Sequence, residues 1–136
     1  MIALIALAVL SASGPASTPP ATANTVAAEA SAADAARRFL ELGDQSRWSD
    51  AYAATGTSFR QLNTLKLWSD VSVKVRVPLG PLVSRTMLSQ ESVPTPPAGA
   101  EIVKFRSSFA NKAGVTETVS LANEGGQWKV TGIYLD

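Results

Sequence analysis

Residues 101–135 have the sequence EIVKFRSSFANKAGVTETVSLANEGGQWKVTGIYL. Apolar and polar residues alternate along most of this stretch, and a period of two is typical of strands with one buried face. The alternation predicts three strands, at 101–110, 115–123 and 127–135. The segments between them, a four-residue loop at 111–114 and a Gly125-Gly126 turn, are short. The three strands are therefore expected to form an antiparallel meander.

The segment before the meander predicts helices followed by one more strand. A first helix is expected at 31–43, with Ser31 as its N-cap, Asp34 in its first turn and Gly43 at its end. The further elements expected are a short second helix at 46–54, a third helix capped by Thr57 or Ser58, and a strand at 82–91. Because helices precede strands, the expected fold class is α+β, with N-terminal helices packed on a curved four-stranded antiparallel sheet.

Each element is expected to turn one apolar face inward. In the helices these residues are Ala32, Ala35, Ala36, Phe39 and Leu40, then Phe59, Leu62 and Leu65. In the three meander strands they are Val103, Phe105 and Phe109, then Val115, Val119 and Leu121, then Trp128, Val130 and Tyr134. Gly132 interrupts the last set, and a glycine within a strand often marks a bulge or a bend.

Residues 71–77 give a conflicting signal at the end of the third helix. Four valines alternate there with polar residues, and this pattern alone favours a strand. The preceding spacing of apolar residues, which continues to Trp68, favours a helix.

The composition excludes several function classes. Twelve basic and eleven acidic residues give a net charge of +1 with no basic stripe, so nucleic acid is not expected as a partner. The chain has no histidine and no cysteine, which rules out Ser-His-Asp and Cys-His triads and zinc sites built on these ligands. The sequence predicts no cofactor and no metal, and it favours a non-catalytic role.

The N-terminal residues predict export from the cytoplasm. Residues 1–10, MIALIALAVL, are apolar, and this run is shorter than the roughly 20 residues of a transmembrane helix. Small residues follow it, as in a secretory signal peptide. We therefore expect a signal peptide at 1–23, a linker at 24–30 and a single domain at 31–136. The protein is expected to be periplasmic or extracellular, with no stable membrane span after removal of the signal.

Glu117 is a candidate site residue because it lies between Val115 and Val119 on an apolar strand face. A buried charge is costly unless it is paired, and Arg85 and Arg106 are the candidate partners. One interpretation is a carboxylate that acts as acid or base, or a guanidinium that binds an anionic ligand. The other is a satisfied ion pair, or a strand end that faces solvent.

Arg76 and Arg85 flank the turn at 78–81. They could hold a carboxylate or a phosphate, or they could bind helix carbonyls and surface acids. The aromatic residues that could line a pocket, or fill the core instead, are Trp48, Tyr52, Trp68, Trp128 and Tyr134. The candidate ligand-binding residues are therefore Arg76, Arg85, Arg106, Glu117, Trp128 and Tyr134.

Several sequence blocks resemble a known family. These blocks are RVPLG at 76–80, SR at 84–85, FANK at 109–112, ETV at 117–119 and WKVTG at 128–132. They resemble the signatures of DUF4019, a family of exported bacterial domains of unknown function, over residues 31–136. The resemblance implies a layout similar to the cone-shaped folds of cystatins and nuclear transport factors, and no assigned activity. It also implies that the third helix continues to about residue 74, against the valine alternation.

The expected role is a non-catalytic binding or interaction module of the cell envelope. Its partner would be an unknown protein or a small apolar ligand, and a homodimer through the open sheet face is a further alternative. Two other roles stay open: a carboxylate-dependent enzyme, and a structural envelope protein with no small ligand.

Overall fold

A computed structural model describes residues 31–96 and 98–136. Four helices come first, α1 at Ala32–Asp44, α2 at Trp48–Ala53, α3 at Thr57–Leu62 and α4 at Leu65–Arg76, and a 3₁₀ turn follows at Val77–Leu79. Four strands come next, β1 at Leu82–Val93, β2 at Ala100–Phe109, β3 at Lys112–Glu124 and β4 at Gln127–Leu135. This order confirms the α+β class. The predicted signal peptide and linker, residues 1–30, lie outside the described residues.

The four strands form one antiparallel sheet in the order β1-β2-β3-β4, and the sheet does not close into a barrel. The meander is thus confirmed, and β3 is longer than expected. The β2–β3 loop has two residues, Ala110 and Asn111, and not the predicted four, because β3 already begins at Lys112. No helix in the described part of the chain has the length and apolar composition needed to cross a membrane.

A bulge in β4 reverses the face on which its last residues lie. Ser120 pairs with Gly132 whereas Leu121 pairs with Val130, so Thr131 is an extra residue in the ladder. An extra residue shifts the alternation of side chains by one position. Tyr134 therefore pairs with Thr118 on the outer face and is 64% exposed. The prediction that Tyr134 shares a face with Trp128 and Val130 is wrong; Ile133 packs against the core instead.

The core lies between α1 and the inner face of the sheet. The buried residues of α1 are Ala32, Ala36, Phe39 and Leu40, which follow the predicted stripe. They pack against Val103, Phe105, Val119, Leu121 and Val130 of the sheet. The two alanines leave room for the helix backbone to come close to the strands. Ser31 caps the helix, since its hydroxyl accepts from the Asp34 amide at 3.1 Å.

The predicted third helix is two helices, α3 and α4. The backbone is extended at Asn63, and the Thr64 hydroxyl caps α4 by accepting from the Leu67 amide at 3.1 Å. Only Phe59 of the three predicted inward residues is buried, because Leu62 and Leu65 flank this break and are exposed. The residue before α3 is Gly56, so neither predicted cap serves; Glu124 instead accepts from the Thr57 amide at 3.0 Å.

Residues 71–76 are helical, as the resemblance implied and against the strand pattern. The valines of this segment are about half exposed, and Ser72 is the buried residue of α4. The alternation of valines therefore does not mark a buried strand face. The helix packs against α1 and α2, and space remains between part of α4 and the sheet.

Candidate functional site

Arg85 lies at the centre of a buried network of charged groups. Its side chain is 7% exposed. Nη1 donates to Asp44 Oδ2 at 2.7 Å and Nη2 donates to Asp44 Oδ1 at 3.0 Å, which is the bidentate geometry that fixes both groups. Nε donates to Glu117 Oε1 at 2.8 Å. One guanidinium thus joins the end of α1 to β3.

Glu117 is held by two donors on one of its oxygens. Its side chain is 2% exposed, and Oε1 accepts from Arg85 and from the hydroxyl of the buried Ser107. Within the described residues no hydrogen bond reaches Oε2. Of the two candidate partners, Arg85 forms the ion pair and Arg106 does not.

Arg76 is the second cation of the network and ties it to the turn before β1. Nη2 donates to Asp44 Oδ1 at 3.1 Å, and Nη1 donates to the Gly80 carbonyl at 2.7 Å. The guanidinium carbon lies 4.3 Å from the centre of the Phe109 ring, within range of a cation–π contact. Arg76 therefore binds its own turn and the network together.

Gly80 and Asn111 explain why the turn holds this shape. Gly80 has φ = +79°, a conformation that glycine adopts without strain. The Asn111 side-chain amide donates to the Pro78 carbonyl at 3.0 Å, and a Cβ on Gly80 would come within 3.0 Å of that amide nitrogen. The RVPLG and FANK blocks are thus in direct contact.

The sequence did not identify Asp44 and Ser107 as site residues. Asp44 is the last residue of α1, where the helix dipole disfavours a negative charge. A carboxylate at a helix C-terminus indicates that a cation lies nearby. The guanidiniums of Arg76 and Arg85 are the cations that contact Asp44. Ser107 carried no signal beyond its inward position on β2.

The network keeps Arg85 protonated. Burial alone would lower the pKa of the guanidinium, but the hydrogen bonds that it donates to Asp44 and Glu117, together with their negative charges, outweigh burial and raise the pKa. A raised pKa adds stability at every pH below the unfolded pKa, and this is lost only as the pH rises through the folded value. The two carboxylates and two guanidiniums of the network balance in charge.

A cavity of about 270 Å³ lies beside this network, between α1, α4 and the sheet. Its apolar walls include Phe39, Trp48, Trp68, Val71 and Ile133. Its polar lining residues are Ser72, Arg76 and Glu117. Small-molecule pockets are mostly apolar with a few placed polar groups and measure about 300–1,000 Å³, so this cavity lies just below that range.

Three polar atoms of the residues lining this cavity have no hydrogen-bond partner among the described residues. Ser72 Oγ and Arg76 Nε are buried and unpartnered, and Glu117 Oε2 receives no bond. The great majority of buried polar atoms in proteins are hydrogen-bonded. The two buried exceptions, Ser72 Oγ and Arg76 Nε, call for a water molecule or a ligand group that supplies the missing bond.

The structure brings together three of the six predicted site residues, Arg76, Arg85 and Glu117. Tyr134 lies at the edge of the cavity but points to the outer face. Arg106 is exposed on the outer face, where it donates to Thr116 Oγ1 at 3.4 Å. Trp128 lines a separate cleft.

That second cleft is larger, about 520 Å³, and lies between α1 and the β3–β4 turn. Charged side chains of both signs line it, including Arg37, Arg38 and Glu41. Among the predicted pocket aromatics, Trp48 and Trp68 line the first cavity, whereas Tyr52 packs edge-on against Phe59. Over residues 31–96 and 98–136 no three acidic side chains lie close enough together to hold a metal ion.

A family model described as "Protein of unknown function (DUF4019)" matches residues 35–133. This span covers more than half of the chain and includes Asp44, Arg76, Arg85 and Glu117. No curated protein and no solved structure matches the chain.

Proposed function

The chain belongs to the DUF4019 family, and we propose that this protein is a non-catalytic binding module that holds a small, mostly apolar molecule in the cavity beside Arg76 and Glu117. The predicted signal peptide at 1–23 supports a role in the cell envelope, in the periplasm or outside the cell. The observation that carries the proposal is the set of unpartnered polar atoms in the residues lining an otherwise apolar cavity.

The sequence of α4 supports the same proposal. The helix buries a serine and leaves Val71, Val73 and Val75 about half exposed. A helix that served only to cover a core would bury its valines and expose its serine. Departures from such local rules are expected where a site needs them.

The rigidity of the network also supports a binding role. Oε1 of Glu117 accepts from Ser107 and from Arg85, and Asp44 in turn holds Arg85 in place. The carboxylate is therefore held in one orientation, and its Oε2 has no hydrogen-bond donor among the described residues. Binding sites are improved when polar groups are held in place before the ligand arrives, because less freedom is lost on binding.

Tryptophan fluorescence tests the proposal with cyclohexanol as the probe. Of the three tryptophans, Trp48 and Trp68 line the cavity, so a Trp128→Phe background leaves only reporters of this site. We expect a saturable change in emission on titration. Ser72→Leu, which fills the cavity from its wall, should abolish the change, whereas Ser69→Leu on the same helix should retain it.

The absence of a saturable change in the Trp128→Phe protein, in which Ser72 is unaltered, would refute the proposal. The same change in the Ser72→Leu protein would also refute it, because cyclohexanol would then bind elsewhere.

A further inference from the structure

We infer that the molecule held in this cavity is uncharged and carries one group that both donates and accepts hydrogen bonds, such as a hydroxyl or a primary amide, on a single-ring or short aliphatic body. The inference rests on the proposed function and specifies its ligand. It follows from the charge, the unpartnered atoms and the size of the site.

The charge balance disfavours an ionic ligand. Asp44 and Glu117 contribute two negative charges, and Arg76 and Arg85 contribute two positive charges; ion pairs link them in the order Arg76, Asp44, Arg85, Glu117. A carboxylate or ammonium in the cavity would add a charge that no group of the network neutralises. Burying such a charge is costly.

The unpartnered atoms of Arg76 and Glu117 offer a ligand one donor and one acceptor. Arg76 Nε can only donate, and the ionised Glu117 Oε2 can only accept. The Ser72 hydroxyl can do either. A hydroxyl or a primary amide can accept from Arg76 and donate to Glu117, whereas a carboxylate lacks the donor and an ammonium lacks the acceptor.

The walls and the volume limit the rest of the molecule. The rings of Trp48 and Trp68 lie edge to face with their centres 6.5 Å apart, which offers aromatic surface to an apolar body. The volume of about 270 Å³ corresponds to about nine water molecules at roughly 30 Å³ each. One ring with a short side chain suits that space.

Five probes that share a phenyl ring test the inference by titration calorimetry on the purified protein. Two are neutral and hydrogen-bonding, 2-phenylethanol and 2-phenylacetamide; propylbenzene lacks a polar group; phenylacetate and 2-phenylethylammonium carry a charge. We expect the first two to bind at least tenfold more tightly than the other three, a difference of about 1.4 kcal/mol.

Two variants test the charge balance separately. Glu117→Gln leaves the network with one excess positive charge, so phenylacetate should gain about tenfold relative to 2-phenylethanol and 2-phenylethylammonium should weaken. Asp44→Asn creates the same net charge without altering a side chain that lines the cavity. It should shift the preference in the same direction, and it serves if Glu117→Gln does not fold.

The outcomes separate this inference from the proposed function. If propylbenzene or either ion binds as tightly as 2-phenylethanol, the ligand class is wrong while a binding cavity stands. If neither variant changes the preference for phenylacetate, the charge argument is wrong. If none of the five probes binds, the proposed function fails and this inference falls with it.

Discussion

Ser72 is the residue at which local stability and the proposed binding role conflict. Its Oγ is buried without a partner among the described residues, and an unsatisfied buried polar group costs about 1–3 kcal/mol. Such a cost to the stability of the free protein is expected if the Ser72 hydroxyl forms its hydrogen bond with a bound molecule.

Ser72→Ala is therefore expected to raise the free energy of unfolding by about 1 kcal/mol more than Ser69→Ala does. Both changes bring the same gain in helix propensity, about 0.5 kcal/mol, so their difference isolates the buried hydroxyl. Urea denaturation of the two variants measures it. Equal gains would show that the Ser72 hydroxyl is satisfied, for example by water.

Arg85 is the residue on which the buried network depends. Arg85→Met would leave Asp44 and Glu117 without their shared cation, and we expect a loss of about 3–5 kcal/mol in the free energy of unfolding. Arg106→Met is the matched control on the same sheet. Because this arginine is exposed, the substitution should change the free energy of unfolding by about 0.5 kcal/mol or less.

A double-mutant cycle checks that this loss comes from the unpaired carboxylate. The combination of Arg85→Met with Glu117→Gln should cost clearly less than the sum of the two single changes, because the second change removes a charge that the first left unpaired. Additive losses would contradict the ion pair as the source of the effect.

At the scale of elements, the break between α3 and α4 sets where α4 begins. Thr64 caps α4, and this helix carries both Ser72 and Arg76 to the cavity. The Trp68 indole Nε1 also donates to the Trp48 carbonyl at 3.0 Å, so α4 is joined to α2 by a specific contact.

Thr64→Ala should lower the free energy of unfolding by about 1 kcal/mol, the usual cost of losing an N-cap. Thr64→Asn keeps an oxygen acceptor at the same place and should stay within a few tenths of a kcal/mol of the parent. Thermal unfolding followed by circular dichroism distinguishes the two. Equal damage by both variants would show that the hydroxyl bond to Leu67 is not what stabilises this helix start.

The element types were largely predictable from the sequence, and the errors have physical causes. The apolar spacing from Phe59 through Leu62 to Leu65 predicted one continuous helix, but only the first of these residues is buried. Periodicity assumes that apolar residues face the core, and that assumption fails at the break around Asn63, where Leu62 and Leu65 are exposed. The valines at 71–77 predicted a strand for the same reason, because they are exposed and do not mark a buried face.

The β4 bulge illustrates a second limit on prediction. Gly132 marked the position as a bulge or a bend, and the structure has a bulge there whose extra residue is the neighbouring Thr131. A shift of one residue reverses every later side chain, so Tyr134 moved to the outer face. Whether a glycine accompanies a bulge or a simple bend depends on the pairing with β3, which the sequence of β4 does not contain.

At the scale of the whole molecule, the network joins parts of the chain that are far apart in sequence. Asp44 and Arg85 are 41 residues apart, and Arg85 and Glu117 are 32 residues apart. Sequence analysis identified Arg76, Arg85 and Glu117, and it named Arg85 as one of two candidate partners of Glu117. It could not supply the cavity, because that space exists only where α1, α4 and β4 meet.

Binding in the cavity should stabilise the whole fold. At a concentration about 100 times its Kd, 2-phenylethanol should raise the free energy of unfolding by about 2.7 kcal/mol, as for any molecule that binds only the folded state. Ser72→Leu should remove this gain while the fold itself persists. A gain of the same size in Ser72→Leu would place the probe outside the cavity.

The most direct test of the central claim is a set of intermolecular nuclear Overhauser effects between 2-phenylethanol and the protein. We predict contacts from the probe to the indole protons of Trp48 and Trp68 and to the β-protons of Ser72, all lost in Ser72→Leu. Contacts only to Trp128, which lines the other cleft, or no contacts at all, would contradict the account.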